Sequence, residues 1–304
     1  MVEKVLVTGG SGFVGKRLRA IRPDWIYPTS RELDLTRWER TFNYLVDEQP
    51  DAVVHLAAKV GGIKDNVEHP ADFYEQNIRI NTNIVQACRE TGVKRLLASL
   101  STCAFPDVFK GYPFTEKSIF NGPPAKTNRA YGFTKRALYV HILACRDQDG
   151  LDYSCFSPSN LYGPEDHFDL NKSHFLPAAI RKLHEAEQGD EVEFWGTGDP
   201  LRQQLYVDDL CRAIPELLEK HHSDDAVIIA PDSQHRIWQM VDLCRDMMNK
   251  DVSVRYNGKL DGQYRKDGSN AKFKELCPQF EFTSIEEGLQ RTYEWYKESV
   301  NNRN

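Results

Sequence analysis

The strongest constraint on the fold is a glycine-rich turn that follows the first apolar run of the chain. That run is Lys4-Val5-Leu6-Val7-Thr8, and the turn after it consists of Gly9, Gly10, Ser11, Gly12, Phe13, Val14 and Gly15. Glycines at this spacing allow a tight turn and a close approach of the backbone to a pyrophosphate, which the N-terminus of the next helix stabilises. A turn that only packs a strand against a helix is the alternative. The position directly after an N-terminal strand favours a dinucleotide-binding turn.

Apolar runs of strand length alternate with helical patterns through the first half of the chain. Buried strands are predicted at 52–58, 95–100 and 152–157, and helices at 38–49 and 73–91, the second ending at Gly92. Such alternation predicts an α/β fold with a Rossmann-type doubly wound parallel sheet. Ligands of these sheets bind beyond the carboxyl ends of the strands, and Ala57, Ser101 and Cys103 map to that edge.

The texture of the sequence changes after Gly163, where short strand and helix patterns are separated by longer polar loops. We therefore expect a cofactor-binding domain at 1–163 and, mainly at 164–304, a smaller α/β substrate-binding lobe. A strand near 226–230 is expected to return to the main sheet. Residues 104–128 are rich in Pro, Gly and Asn, which is typical of a functional loop or lid.

A second strand is predicted around Trp25-Ile26-Tyr27-Pro28, and the residues after it indicate which dinucleotide is bound. An acidic residue there would hold the adenosine ribose and favour NAD, but the chain has Ser30 and Arg31. An arginine accommodates the additional phosphate of NADP. We therefore predict NADP(H) as the cofactor, with Asp34 near the adenine. The alternative for Arg31 is a solvated charge on a loop.

Tyr131-Gly132-Phe133-Thr134-Lys135 places a tyrosine and a lysine four residues apart on a predicted helix. Residues at this spacing share a helix face. An ammonium beside a phenol favours the phenolate and should lower the pKa of Tyr131 toward neutrality, as general acid–base catalysis requires. The alternative is an amphipathic helix that carries this pair by chance.

Charge and composition exclude several classes of protein. The net charge is −6 with 28% charged residues, and the absence of a long basic block argues against nucleic-acid binding. No apolar run reaches the roughly 20 residues of a membrane span. The seven cysteines form no Cys-x-x-Cys pair, so neither a metal site nor a disulfide framework is expected, and a cytoplasmic location is favoured.

The glycine turn, Ser101 and the Tyr131-x-x-x-Lys135 pair together resemble the extended short-chain dehydrogenase/reductase superfamily. Within it, the chain resembles the GDP-L-fucose synthase family. The similarity runs to about Trp295 and is carried by the stretches 56–62, 100–106, 121–124, 158–164, 173–177 and 195–202. Three departures from the family pattern are Gln204 in place of a bulkier apolar residue, Ser159 in place of Thr, and Phe133-Thr134 in place of small residues.

This resemblance implies a homodimeric enzyme that uses NADPH and acts on a nucleotide sugar. The expected reaction is 3,5-epimerisation and 4-keto reduction of GDP-4-keto-6-deoxy-D-mannose to GDP-L-fucose. Cys103 would be the base and His174 the acid of the epimerisation. Tyr131 would protonate the carbon-4 oxygen, Ser101 would hydrogen-bond it, and Lys135 would hold the nicotinamide ribose. The alternatives are that His174 caps the helix after it and that Cys103 is a small core residue.

The resemblance also implies the binding residues. Besides the glycine turn, Arg31 and Asp34, the implied cofactor contacts are Leu56, Ala57, Ala58, Lys135, Pro158, Ser159, Asn160, Leu161 and His174. The implied substrate contacts are Asn160, Lys182, Trp195, Arg202 and Asp261. A related nucleotide-sugar 4-reductase or epimerase, and a non-enzymatic NADP-binding sensor, are the alternative functions. The sensor is disfavoured because it needs no proton chemistry from Ser101, Tyr131 and Lys135.

Overall fold

The computed structural model describes residues 3–170, 173–259 and 261–301. The helices in these ranges are α1 Phe13–Ile21, α2 Trp38–Glu48, α3 Ile63–Glu68, α4 Pro70–Thr91, α5 Arg129–Asp149, α6 Phe175–Glu185, α7 Val207–Lys220, α8 Ile237–Met247, α9 Ala271–Leu276 and α10 Ile285–Asn301. The strands are β1 Val5–Thr8, β2 Ala52–His55, β3 Arg95–Ser99, β4 Asp152–Pro158, β5 Asn160–Tyr162, β6 Glu191–Phe194, β7 Leu201–Arg202, β8 Gln204–Tyr206, β9 Val227–Ile229, β10 His235–Arg236, β11 Ser253–Tyr256 and β12 Arg265–Lys266. None of the described helices is long and apolar enough to cross a lipid bilayer.

The largest sheet has the strand order β1-β2-β3-β4-β9, and every pairing in it is parallel. Strands β1 and β2 are buried along their whole length, as expected for a sheet that helices cover on both faces. The predicted helices at 38–49 and 73–91 are confirmed, the second beginning at Pro70 and ending at Gly92 with a left-handed φ of 76°. The carboxyl ends of the strands meet at one edge.

The predicted second strand is reduced to a single bridge, in which Ile26 pairs in parallel with Leu6. Ile26 N donates to Val5 O at 2.9 Å, and Ile26 O accepts from Val7 N at 2.8 Å. The pairing cannot extend far because Pro28 lacks the N–H that a ladder needs. The strand predicted at 52–58 also ends early, at His55, because Ala57 N turns to the Thr8 hydroxyl at 3.3 Å.

The chain beyond residue 158 builds three smaller sheets: β5 with β8, β6 with β11, and β10-β7-β12. A separate core of buried apolar residues packs among them, including Leu176, Ile180, Phe194, Met240 and Leu289. Helices α6, α8 and α10 contribute all of these side chains except Phe194, because each helix carries an apolar face, and β6 contributes Phe194. This part of the molecule lies beside the carboxyl edge of the main sheet, and the cavity described next runs between the two.

Candidate active site

One cavity of about 1120 Å³ runs from the glycine turn along the carboxyl edge of the main sheet to strand β7. It is lined by every predicted site residue except Gly10 and Arg31. Gly10 packs on Tyr27, where an added Cβ would lie 2.7 Å from the Tyr27 Cβ. Arg31 is exposed beside Ser30, which lines the cavity. The structure therefore brings residues from distant parts of the sequence into one continuous cleft.

The glycine turn is closed tightly over the start of α1. Gly12 N donates to Gly9 O at 3.0 Å, and a Cβ added at Gly15 would lie 2.3 Å from that same oxygen. Only glycine fits at Gly15. The N-cap of α1, Gly12, has no side-chain hydrogen bond, so the first N–H groups of the helix face the cavity without a capping side chain. Such an end is suited to binding a pyrophosphate.

At the adenosine end, the Asp34 carboxylate is already engaged within its own loop. Its Oδ1 accepts from Thr36 N at 3.0 Å and from Thr36 Oγ1 at 2.6 Å, and Arg37 Nε lies 3.8 Å from Oδ2. The Thr36 hydrogen bonds hold the pKa of Asp34 below its usual range. Thr36 and Arg37 are therefore the side chains that contact the Asp34 carboxylate, whereas Ser30 lines the cavity and Arg31 is exposed beside it.

Ser101, Tyr131 and Lys135 come together because the carboxyl end of strand β3 lies, in space, beside the first turns of helix α5. Gly132 allows this close packing, since a Cβ there would lie 2.5 Å from the Cys103 carbonyl oxygen. The Lys135 ammonium lies 5.8 Å from the Tyr131 ring centroid and donates to Ser99 O at 2.7 Å. Burial lowers the pKa of Lys135 to about 8. The predicted arrangement of tyrosine and lysine one helical turn apart is therefore present.

The prediction that Lys135 lowers the pKa of Tyr131 is wrong. Burial raises the pKa of the Tyr131 phenol, the nearby Cys103 raises it further, and hydrogen bonding to Ser101 opposes both effects only in part. The Lys135 ammonium is turned toward the Ser99 carbonyl, and burial, which spacing along a helix does not reveal, outweighs it. The phenol is protonated at neutral pH, which is the form that a general acid needs.

Cys103 lies beside a cation that the sequence analysis missed. Lys266 Nζ donates to Cys103 Sγ at 3.1 Å. Burial alone would raise the pKa of Cys103, but Lys266, the Ser101 hydrogen bond and Arg202 together lower it below its ordinary value. Nothing in the spacing of Lys266 marks it in the sequence, and its only signal is its place five residues after the predicted substrate contact Asp261.

His174 occupies the N-cap position of α6, but its side chain makes no capping hydrogen bond. The alternative interpretation, in which this histidine serves only as a helix cap, therefore does not hold. Its ring lines the cavity. Burial, and then the positive charge of Lys266 and the nearby His167, lower the pKa of His174. Lys266 thus faces both residues to which the sequence assigns proton transfer.

Arg202 is half-buried, and its guanidinium has no carboxylate within 4.0 Å among the described residues. Its Nη1 donates to Leu201 O at 2.7 Å, and burial lowers its pKa to about 10. Lys182 Nζ donates to Glu193 O at 2.8 Å and lies over the Phe194 ring. Two cations at one end of the cavity suit the diphosphate of a nucleotide sugar.

Asp261 holds the loop that carries Trp195. Its carboxylate accepts from Thr197 N at 2.6 Å and from Thr197 Oγ1 at 2.9 Å. Trp195 itself is 61% exposed and lines the cavity, and an indole in such a position is suited to stacking on a ligand. The geometry therefore assigns Asp261 the support of this loop, in addition to the substrate contact expected from the sequence.

Two amides on helix α4 brace the backbone beside the site. Asn77 Oδ1 accepts from Lys59 N at 2.8 Å and its Nδ2 donates to Lys59 O at 3.0 Å. Asn81 Nδ2 donates to Thr134 O at 3.2 Å, and its Oδ1 lies 3.1 Å from His55 Nε2. These bonds fix the 56–62 loop and the α5 backbone, both of which border the cavity.

Gln204, a departure from the family pattern, is buried and lines the cavity. It pairs with Asn160 where β8 runs parallel to β5, so the two side chains lie on the same side of that sheet. Neither side-chain amide has a hydrogen-bond partner among the residues that the structure describes. Among all the residues that the structure describes, no group of three or more His, Cys, Asp or Glu side chains is placed to hold a metal ion.

Comparison with known proteins gives a consistent result. The family described as NAD dependent epimerase/dehydratase matches residues 5–230. A probable GDP-L-fucose synthase 1 of Oryza sativa subsp. japonica is 38% identical over 306 residues, which cover 98% of this chain and 93% of the relative. The GDP-L-fucose synthase of Escherichia coli is 32% identical over 314 residues, with 98% and 97% covered.

Among solved structures, a GDP-L-fucose synthetase from Naegleria fowleri bound to NADP matches with a TM-score of 0.90 at 32% identity, covering 98% of this chain and 94% of the other. These results confirm the predicted family resemblance and the Rossmann-type fold. The chain belongs to the NAD dependent epimerase/dehydratase family and, within it, to the GDP-L-fucose synthases.

Proposed function

We propose that this protein converts GDP-4-keto-6-deoxy-D-mannose to GDP-L-fucose, with NADPH as the reductant. The observation that carries the proposal is that a lysine-paired thiol, Cys103, shares one cavity with Ser101, Tyr131 and Lys135. A simple 4-reductase would need no activated thiol, and an NADP-binding sensor would need none of these four side chains. The pairing therefore favours an enzyme that both epimerises and reduces.

The first chemical stage is proton transfer at carbons 3 and 5. The 4-keto group acidifies the protons on both carbons, and the Cys103 thiolate removes one of them to give an enolate. His174 returns a proton to the opposite face, which inverts the carbon. Because the pKa of His174 is lowered by burial, its imidazole is neutral in the free protein at neutral pH. A bound diphosphate in the same cavity raises that pKa and favours the imidazolium that acts as the acid.

The second stage is reduction at carbon 4. Bound NADPH supplies the hydride, and the glycine turn, with its tight approach at Gly15, fits the pyrophosphate of that cofactor. Tyr131, whose phenol is protonated at neutral pH, donates a proton to the carbon-4 oxygen while Ser101 hydrogen-bonds it. Lys135, which is buried and lines the cavity, holds the nicotinamide ribose. Arg202 and Lys182 bind the diphosphate, and Trp195 stacks on the base or sugar.

The direct test is incubation with GDP-4-keto-6-deoxy-D-mannose and NADPH, followed by NMR of the product. We expect GDP-L-fucose, with one NADPH oxidised for each sugar formed. A 6-deoxy sugar that keeps its original configuration at carbons 3 and 5 would show that the protein is a 4-reductase without epimerase activity. No turnover at all, in a protein that binds NADPH, would favour the sensor.

We also propose that the two parts of the chain bind different ligands. Residues 1–163, with the β9 strand returning beside β4, bind the cofactor, and residues 164–304 contribute most of the substrate contacts. His174, Lys182, Trp195 and Arg202 all come from the second part and line the cavity. The seven cysteines are all free thiols, and six of them are buried, which suits work in a reducing cytoplasm.

Replacing Arg31 with alanine should weaken NADPH binding by about 1–3 kcal/mol, the scale of a lost charge-assisted hydrogen bond. NADH binding should change far less, because NADH lacks the 2′-phosphate. Fluorescence titration with each cofactor measures both affinities. Arg79→Ala, which removes an exposed arginine of α4 paired with Glu75, is the matched control. Equal losses for NADPH and NADH would remove Arg31 from the phosphate site.

We propose that a second copy of the chain covers the outer face of α4 and α5, forming a homodimer. Tyr74, Phe133 and Val140 are each at least 42% exposed along these helices and line one groove. Both helices exceed 20 residues, so the face is about 30 Å long, long enough for an interface of standard size. The apolar part of this face is the groove between the start of α4 and the first half of α5, and exposed apolar side chains grouped in this way favour a partner over solvent.

A charge placed in this face should separate the two copies. Val140→Arg should convert the dimer to a monomer in light scattering coupled to size-exclusion chromatography, because a buried unpaired charge costs several kcal/mol. Val46→Arg on α2, where Val46 is 43% exposed, is the matched control and should remain dimeric. A wild-type protein that is monomeric at micromolar concentration would refute the proposed interface.

A further inference from the structure

Two cations reach the cavity side by side from one small sheet. Strand β12 runs parallel to β7, and Lys266 is the direct partner of Arg202 in that pairing. Paired residues of adjacent strands extend on the same side of a sheet. Lys266 Nζ lies 3.1 Å from Cys103 Sγ, whereas Arg202 acts on the thiol from a greater distance, through its charge. Lys266 is thus the cation that contacts the thiol directly.

The backbone on both sides of Lys266 is fixed to the loop that begins just after Cys103. Phe114 N donates to Asp267 O at 2.8 Å, and Ser269 N donates to Phe114 O at 2.7 Å. On the other side, Tyr112 Oη donates to Arg265 O at 2.8 Å. Lys266 is therefore held between two anchored neighbours and not on a free loop.

Two further hydrogen bonds join the chain just before Lys266 to the loop that follows Cys103. Gln263 Nε2 donates to the carbonyl oxygens of Pro106 and Asp107, at 3.0 Å each. Phe105, which follows Cys103 closely, packs against Phe114 with ring centroids 5.1 Å apart. The 104–128 segment, which the sequence marks as a functional loop, thus joins Cys103 and Lys266 into one unit.

We propose that Lys266 is the positioning residue that holds Cys103 as a thiolate and so makes it the base of the epimerisation. The proposal rests on the function proposed above, but its main test needs no substrate. Lys266 itself does not contact the reacting carbon in this scheme. It sets the charge of the group that does.

Burial of the Cys103 thiol and the polar groups around it act on its charge in opposite directions. Lys266, Arg202 and the Ser101 hydroxyl favour the thiolate. Tyr131 is a neutral phenol beside it, and Lys135 contributes a more distant positive charge. Because burial opposes the thiolate, loss of the one ammonium in contact should raise the pKa of the thiol by about 1–3 units, the usual effect of an adjacent opposite charge.

This charge has two opposite effects on the chemistry. A lower thiol pKa increases the fraction of thiolate at neutral pH, but it also makes that thiolate a weaker base. Without Lys266, the protein should therefore lose proton abstraction near pH 7 and recover it at alkaline pH. A residue with a purely structural role would lower the rate at every pH alike.

The test is the pH dependence of alkylation of the full-length protein by iodoacetamide. The thiolate is the reactive form, and six of the seven cysteines are buried, so Cys103→Ser provides the blank. The midpoint of alkylation should rise by about one pH unit or more in Lys266→Met. It should stay within a few tenths of a unit in Lys266→Arg, which keeps the charge. Lys64→Met, which removes another lysine that lines the cavity, should leave the midpoint unchanged.

A second measurement follows deuterium entry at carbons 3 and 5 of the substrate. Lys266→Met should exchange more slowly than wild type at pH 7, by about tenfold for each pH unit by which the thiol midpoint rises, and it should approach the wild-type rate only above its own alkylation midpoint. An unchanged alkylation midpoint in Lys266→Met would overturn the role of Lys266. So would a midpoint that rises equally in Lys266→Arg. A shifted midpoint in a protein without any exchange would uphold the Lys266–Cys103 pair and refute the proposed epimerase instead.

Discussion

Tyr131→Phe should reduce NADPH oxidation by at least 10²-fold, and up to about 10⁴-fold, the range contributed by a positioned general acid. The phenol is the protonated group next to Ser101, and burial keeps its pKa above the ordinary value. Removing its oxygen leaves the developing alkoxide at carbon 4 with no proton donor. Substrate affinity should change little, because Arg202 and Lys182, which we propose to bind the diphosphate, are unchanged in this variant. Steady-state kinetics with NADPH and GDP-4-keto-6-deoxy-D-mannose measure both parameters.

The same variant separates the two stages of the reaction. Tyr131→Phe should still exchange deuterium into carbons 3 and 5, because Cys103 and His174 remain. Tyr44→Phe, which removes a half-buried phenol on α2 that does not line the cavity, is the matched control and should keep full activity. If Tyr131→Phe retained most of its turnover, Tyr131 would not be the proton donor.

Local patterns predicted the parts of this site that short stretches of chain determine. The turn from Gly9 to Gly15 and the spacing of Tyr131 and Lys135 are set within a few residues, so the sequence alone indicated both. The direction of the Tyr131 pKa shift depends on burial by distant segments. The spacing of Tyr131 and Lys135 along one helix carries no information about this burial. A prediction from spacing alone therefore gave a lowered pKa for Tyr131, where the structure gives a raised one.

Lys266 could not be predicted because its role arises from long-range pairing. It reaches Cys103 across 163 positions, through the β7–β12 pairing and the hydrogen bonds of Phe114. Neither a motif nor a periodic pattern marks a two-residue strand in a polar segment. The prediction of a full second strand around Ile26 was wrong for a related reason. Only the tertiary contact at Ile26 shows how far the pairing of this segment extends.

Cys103→Ser should abolish most of the proton transfer and leave the hydride stage largely intact. A serine hydroxyl is nearly isosteric with the thiol but far too weakly acidic to serve as the base, even beside Lys266. In deuterated water, with NADP⁺ bound so that reduction is blocked, the wild type should introduce deuterium at carbons 3 and 5. Cys103→Ser should lose at least 10²-fold in this exchange, the lower range for a positioned base, while binding cofactor normally.

His174→Gln provides the complementary variant, because it removes the acid and keeps the base. It should retain part of the exchange, since abstraction by Cys103 precedes the missing reprotonation, but it should yield little inverted product. With NADPH present, Cys103→Ser should slowly reduce the unepimerised ketone to a different 6-deoxy sugar, which NMR distinguishes from GDP-L-fucose. Cys155→Ser, a buried cysteine on β4, controls for the loss of a thiol as such. Full exchange and a normal product from Cys103→Ser would show that another group is the base and that Cys103 is incidental to the epimerisation.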